Sequence, residues 1–341
     1  MRFTIIMPVY NVENYLKRSI NSILNQDFQD WELIIVNDGS KDNSREICEE
    51  FANRDNRIKL INQKNQGSGV AREKALENAK GDYIVFIDPD DFTADNSLTE
   101  INAIIDNYKK TLDIIFCGYN EITKNKAGKN VTIAHQYMNN VLLENHEIAA
   151  SFKYIESISI KSLWNKVYAR DFLIRNNISF SDQRVGQDAL FNFNAYKYIN
   201  NIFISNSIIY NYDATREGSA IKTFNKYKHK YELNIADAFK KFVEIQNIPN
   251  KDKLILREYW YALFTQILNL STSTCSWTIK EKAKNISDML SSRYEYRNLK
   301  KLDLNFFNGR FERVIYNLII RSRIKIALSL SRLYYKTFLE I

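Results

Sequence analysis

The chain opens with short, unbroken apolar runs separated by stretches in which apolar residues recur every three or four positions. Thr4 to Met7, Glu32 to Val36, Ile58 to Ile61, Tyr83 to Ile87 and Asp113 to Cys117 are β-branched and aromatic runs of strand length. Between the first two, Val12, Tyr15, Leu16, Ile20, Ile23 and Leu24 fall on one helical face, and Asn11 is the expected N-cap. This alternation predicts βαβ units: an α/β fold with a mainly parallel, Rossmann-like sheet flanked by helices.

Beyond that region the pattern changes twice. From Lys124 to Asn145 the sequence is polar and rich in Asn and Lys, which predicts an excursion over the surface. A second patterned block runs from Ile148 to Tyr212. After Gly218 the only glycine is Gly309 and the only proline is Pro249, and Lys226 to Gln246 and Lys251 to Leu270 carry helical period. The expected organisation is a catalytic-type α/β domain over 1–220, with halves 1–120 and 121–220, followed by a helical C-terminal region over 221–341.

Composition narrows the partners. With 45% hydrophobic and 26% charged residues in 341, the chain is of globular rather than disordered type. Cys48, Cys117 and Cys275 fall in no paired spacing, so neither a disulfide framework nor a cysteine zinc site is expected. No run reaches the ~20 apolar residues that span a bilayer, and the opening run Phe3 to Met7 lacks the features of a secretory signal. The expected location is the cytoplasm or the cytoplasmic face of a membrane. The net charge of +8 suits phosphate-bearing substrates, an anionic membrane or nucleic acid. No nucleic-acid motif accompanies it, so no nucleic-acid partner is expected.

The richest chemistry lies in Tyr83-Ile84-Val85-Phe86-Ile87-Asp88-Pro89-Asp90-Asp91, a buried-type strand that ends abruptly in three carboxylates. Ligands of open α/β sheets bind beyond the carboxyl ends of strands, and clustered carboxylates repel unless a cation lies between them. Mg²⁺ and Mn²⁺ take oxygen ligands, commonly one or two carboxylates plus substrate phosphates. The segment reads equally as a solvated acidic turn leading into a helix.

Three further segments tip that balance: Ile5-Ile6-Met7-Pro8-Val9-Tyr10-Asn11, Val36-Asn37-Asp38-Gly39-Ser40-Lys41-Asp42, and Gly67-Ser68-Gly69-Val70-Ala71-Arg72. With the acidic cluster, they resemble in order and spacing the family 2 glycosyltransferases of GT-A fold, bacterial enzymes of cell-surface polysaccharide synthesis among them. The resemblance implies that Pro8 and Tyr10 flank a nucleobase, that Asp38 accepts a hydrogen bond from it, and that Arg72 approaches the nucleotide. It further implies that Asp88 and Asp90 contact the nucleotide-sugar and hold a divalent metal, Mn²⁺ or Mg²⁺, with Asp91 in a lesser role. Asn37 stands where the family usually has Asp.

The resemblance continues in the second block. Ser162-Leu163-Trp164-Asn165-Lys166-Val167-Tyr168 is similar to a "W-N-K-x-Y" segment, and Gly186-Gln187-Asp188-Ala189-Leu190-Phe191 to "G-E-D-x-x-F". Asp188 is then the implied general base, while Gln187 replaces a Glu and cannot ionise. As a residue alone, Asp188 is also a fair helix N-cap, and Trp164 is either a sugar-stacking platform or core. In Tyr210-Asn211-Tyr212, Asn211 occupies the place where some relatives carry a metal-binding His, and Arg216 is left as a diphosphate contact. The implied reaction is inverting transfer of a sugar from a nucleotide-sugar, by family habit a UDP-sugar, to a hydroxyl of a saccharide acceptor, lipid-linked in one version. Asn37 and Gln187 keep an alternative open: a non-catalytic nucleotide-sugar or glycan-binding protein on the same scaffold.

The end of the chain, 310–341, interleaves Arg310, Arg313, Arg321, Arg323, Lys325, Arg332 and Lys336 with Val314, Ile315, Leu318, Ile319, Ile324, Leu328, Leu330, Leu333 and Phe338. A basic amphipathic helix of this kind either lies on an anionic membrane or packs against protein, including a second copy of the chain in a homodimer.

Overall fold

The structure is a computed structural model that describes all residues except 109, 126, 217–222, 303–305, 308 and 339–341, together with the side chain of 338. It divides into two compact units, Met1–Arg216 and Glu217–Ile341. The expected boundary at 220 lies outside the described residues.

The first unit runs β1 (Phe3–Val9), α1 (Glu13–Leu24), β2 (Trp31–Asn37), α2 (Ser44–Arg54), β3 (Ile58–Asn62), α3 (Ser68–Glu77), β4 (Tyr83–Phe86), β5 (Phe92–Thr93), α4 (Ser97–Asn107), β6 (Ile114–Lys124), β7 (Asn130–His135), β8 (Val141–Glu144), α5 (Asn145–Glu156), β9 (Lys166–Ala169), α6 (Arg170–Arg175), α7 (Gln187–Tyr196) and β10 (Asn201–Asp213). The strands form one sheet in the order β3-β2-β1-β4-β9-β6-β10-β5, with β7 on β6 and β8 on β10. The first four are parallel, and β9 runs antiparallel between β4 and β6. Every residue of β1, β2 and β4 is buried, as the near-continuous apolar runs require of strands covered on both faces. This is the α/β, GT-A-like sheet flanked by helices.

Two local expectations are corrected. Asn11 does not cap α1: its φ is 52°, Val12 holds the cap position, and the first turn is satisfied from a distant loop. The Val12 and Glu13 amides donate to Ser44 Oγ at 2.9 Å and Asp42 at 3.0 Å, which ties the β1 and β2 loops together. The stretch 124–145 is not a bare excursion either. It folds back as β7 on β6 and supplies β8 to the far side of β10, because strand edges absorb polar residues on a solvated face.

The second unit is helical, as expected: α8 (Lys228–Ile245), α9 (Lys251–Leu270), α10 (Ile279–Ser292), α11 (Tyr294–Arg297), α12 (Arg310–Ile320) and α13 (Ile324–Phe338). Trp260, Leu263, Ile267, Ile286 and Ile315 are among its buried residues. The single basic helix expected over 310–341 is two helices. The chain breaks at Arg321 to Arg323, where Ser322 takes a φ of 59°.

Candidate functional site

The carboxyl ends of β1, β2 and β4 open on one side of the sheet, and the sequence-predicted residues converge there. Pro8 is the buried penultimate residue of β1. Tyr10 follows it and is 42% exposed, an aromatic face available to a flat ligand. Asp38 follows β2 and is 2% exposed. Its carboxylate accepts from Gln63 Nε2 at 2.8 Å and from the backbone amides of Gln66 at 2.8 Å and Gly67 at 2.7 Å. About three of its roughly four acceptor positions are therefore filled, and it shapes the loop that leads into α3. Asn37 is also internal to this scaffold, donating to Asn62 at 2.8 Å and accepting from the Ser40 amide at 3.1 Å.

Arg72, on the first turns of α3, is 4% exposed and is the hub of the site. Nη2 donates to Asp88 at 2.6 Å and Nη1 to Asp188 at 2.9 Å. Asp88 follows β4 and Asp188 lies on the first turn of α7, so one guanidinium on α3 reaches partners 16 and 116 residues further along the chain. Arg72 Nε is buried and bonds no described residue. Both helices start from glycines with positive φ, Gly67 at 97° and Gly186 at 71°, a conformation that side-chain-bearing residues rarely take. Gln187 Nε2 donates to Ser68 Oγ, joining the two helix N-termini, while Gln187 Oε1 is buried without a described partner.

The floor beneath is aromatic. Phe180 and Phe191 stack at 4.2 Å, and Phe86 meets both edge-on at 5.5 and 5.7 Å. Burial in this setting pushes the Asp188 carboxyl above the ordinary range; Arg72 opposes that push and Asp88 adds to it. A third of the Asp188 side chain still faces solvent, so the carboxylate is recessed but reachable. Asp188 does not cap its helix: Gly186 has the cap position and Gln187 opens α7.

The rest of the acidic cluster is divided in labour. Asp91 is completely buried and accepts from Tyr210 Oη at 2.8 Å and the Asp213 amide at 2.8 Å. Burial and the neighbouring Asp88 charge push its carboxyl up to about 7. Tyr210 Oη in turn accepts from the Asp88 amide at 3.1 Å, which holds the turn in shape. Asp90 pairs with Arg216. Arg18 donates to the Asp90 carbonyl at 2.9 Å and pairs with Asp213 at 2.8 Å. Arg18, Arg72 and Arg216 thus surround the turn. Arg18 has no local signal as a site residue, because its partners lie 72 or more residues away, and Tyr210 shows only through the resemblance of its segment.

Among the described residues no group of three or more His, Cys, Asp or Glu side chains is placed to hold a metal ion. The pair Asp88 and Asp90 nevertheless suits a hard divalent cation, being partly exposed carboxylates on one turn at the mouth of the sheet. Trp164 is half-buried and lies parallel to Tyr210 at 4.7 Å and Tyr212 at 5.8 Å, with Tyr119 against it edge-on at 4.6 Å. One of its faces is therefore committed to protein. Beside it, the fully buried Lys166 ammonium donates to the carbonyls of Ser159 at 2.9 Å and Ser162 at 2.6 Å and to Asn165 Oδ1 at 2.7 Å, which makes the Trp-Asn-Lys segment a structural clamp.

The model of glycosyl transferase family 2 matches residues 4–171. An uncharacterized glycosyltransferase of Haemophilus influenzae is 33% identical over 247 residues, covering 70% of this chain and 93% of that protein. The chain belongs to glycosyl transferase family 2. The uncharacterized glycosyltransferase EpsJ of Bacillus subtilis is 34% identical over 196 residues, 57% of this chain and 56% of that one. Glycosyltransferase GlyA of Streptococcus pneumoniae is 31% identical over 233 residues, 67% of this chain and 33% of that one. The match therefore spans between a third and just over half the length of these two relatives. In fold, the chain is similar to a crystal structure of Staphylococcus aureus TarS in complex with UDP-GlcNAc, with a TM-score of 0.68 at 22% identity over 98% of this chain and 92% of that one.

Proposed function

We propose that this family 2 glycosyltransferase moves a sugar from a UDP-sugar to a hydroxyl of a saccharide acceptor, with inversion at the anomeric carbon. The observation that carries the reading is Arg72, which pairs with both Asp88 and Asp188. A recessed carboxylate of raised basicity sits within one guanidinium's width of the turn that faces the diphosphate.

In this reading Tyr10 stacks on the base, and the α3 N-terminus with Arg72 faces the phosphates, where backbone amides and positive charge favour anions. Asp188 takes the proton of the acceptor hydroxyl as its oxygen bonds to the anomeric carbon and the bond to the diphosphate breaks. Such a base is typically worth ~10²–10⁴-fold in rate. Arg216 neutralises charge on the departing side. Asp88 and Asp90 would hold Mn²⁺ or Mg²⁺, which when bound supplies Lewis-acid stabilisation of the diphosphate. Trp164 and Gln187 belong to the wall on the acceptor side.

For the donor, the support is that TarS, a poly(ribitol-phosphate) beta-N-acetylglucosaminyltransferase of Staphylococcus aureus, is 29% identical over 222 residues, 64% of this chain and 36% of that one. For a surface polymer as acceptor, the support is the Bacillus subtilis minor teichoic acid biosynthesis protein GgaB, 41% identical over 116 residues, 33% of this chain and 13% of that one. The three described cysteines are free and buried, which suits a reducing, cytoplasmic setting.

The test is nucleotide release from a panel of nucleotide-sugars, with and without saccharide acceptors, in Mn²⁺, Mg²⁺ or EDTA, for the wild type and for Asp90→Ala. Metal-dependent release from a UDP-sugar, lost in the variant, is the expected result. Tight UDP binding with no release under any condition would replace this reading with the binding-protein one.

A further inference from the structure

The helical unit carries a second candidate site, far in sequence from the sugar-transfer residues. A cavity of about 440 Å³ is lined on its apolar side by Trp277, Ile279 and Leu328 and on its polar side by Lys282, Arg332 and Lys336, with no carboxylate among its lining residues. Lys282 is 5% exposed. None of the three cations makes a side-chain hydrogen bond or ion pair with a described residue. Three cations on one carboxylate-free wall repel one another and leave a positive potential that an anion can neutralise.

Helix α13 explains how the cavity meets its surroundings. Its buried side is Ala327, Leu328, Ser331 and Tyr335. Ser329, Arg332 and Lys336 recur at helical spacing as a second stripe that lines the cavity. Ile326, Leu330 and Leu333 form a third, and these are 49%, 37% and 63% exposed. Trp277 and Ile279, at the mouth, are also exposed, 38% and 45%. A basic stripe beside an exposed apolar stripe, with a tryptophan at the rim, is the pattern of a surface that lies in a membrane interface. No described helix is long and apolar enough to cross a membrane.

We propose that this face binds the surface of an anionic bilayer and that the cavity seats the headgroup phosphate of one anionic phospholipid. Lys282, Arg332 and Lys336 neutralise the phosphate. Trp277, Ile279 and Leu333 enter the acyl boundary. The apolar share of the lining favours an amphiphile over a free anion, and the three unpaired cations favour an anionic headgroup over a zwitterionic one.

The experiment is flotation of the full chain with vesicles of phosphatidylcholine alone and of an equimolar mixture with phosphatidylglycerol. Binding to the mixed vesicles only, weakened by salt, is expected. Lys282→Gln and Arg332→Gln should each lower partitioning about fivefold. Lys282→Arg should restore it, and Leu333→Asp should abolish it, all with unchanged nucleotide release from a soluble donor. Trp277 fluorescence should shift to the blue on vesicle addition, and Trp277→Phe should remove that shift. Equal binding to both vesicle types, displacement by millimolar inorganic phosphate, or wild-type partitioning by the Lys282→Gln/Arg332→Gln double variant would overturn the proposal.

Discussion

Arg72 Nη2 lies 2.6 Å from Asp88 and Arg72 Nη1 lies 2.9 Å from Asp188, so the carboxylate at the donor turn and the carboxylate of the candidate base share one buried cation. The guanidinium is buried, while both carboxylates keep a partly exposed side. Removing the charge leaves two recessed carboxylates facing each other, and replacing it by a point charge removes the span.

Arg72→Lys is therefore expected to lower kcat/KM for sugar transfer by on the order of 10²-fold while the protein stays folded, because an ammonium cannot donate in two fixed directions. Arg72→Ala should in addition destabilise the fold by ~3–5 kcal/mol, the usual cost of stranding one side of a buried ion pair. Steady-state kinetics and denaturant titration measure the two effects separately. Wild-type kinetics in Arg72→Lys would show that the bridge is not needed for the reaction.

Asp91 gives a pH signature. Its folded carboxyl is raised to about 7 against an ordinary 3.8, so between those values the folded state holds a proton that the unfolded chain has released. Unfolding then releases a proton, and the stability contributed by the neutral acid is present at low pH and lost as pH rises through the window. Asp91→Asn should abolish this dependence, flattening the difference in stability between pH 4 and 7 by ~2–4 kcal/mol. Urea midpoints of both proteins across that range are the measurement. Parallel curves would mean that Asp91 is ionised in the fold.

Gly186→Ala tests whether the helix start aims Asp188. At a φ of 71° the added Cβ costs ~1–2 kcal/mol, and relief of that strain rotates the first turn of α7. The expected result is a modest fall in melting temperature with a disproportionate fall in kcat. A stability loss with unchanged kcat would assign Gly186 a purely structural place.

The sequence made the first half of this site legible because its chemistry is tied to strand ends. Unbroken apolar runs such as Ile84 to Ile87 locate the strand, and Asp88 and Asp90 follow at its open end. Asp38 was equally visible as a residue, yet its three hydrogen bonds to the 63–67 loop depend on how that loop folds, which no local pattern records. Arg18 looked like any solvated helix cation, since its partner Asp213 is brought in by β10. The stretch 124–145 misled for a related reason: polar strands on a solvated edge lack the apolar alternation by which strands are recognised.

Asp188→Asn is the sharpest test of the base. The amide keeps the size of the side chain and an acceptor for Arg72, so UDP-sugar KM should change little, while kcat should fall ~10²–10⁴-fold. The pH profile makes the role specific. Because burial holds the Asp188 carboxyl above its ordinary range, the wild-type rate should decline on the acid side at a higher pH than an exposed aspartate would give, as the base becomes protonated. In the variant no group titrates at that position, so the residual rate should lose this acid limb. Retention of the limb in Asp188→Asn would move the proton-accepting role to another group, whereas a raised KM with unchanged kcat would make Asp188 a donor-binding residue that acts through Arg72.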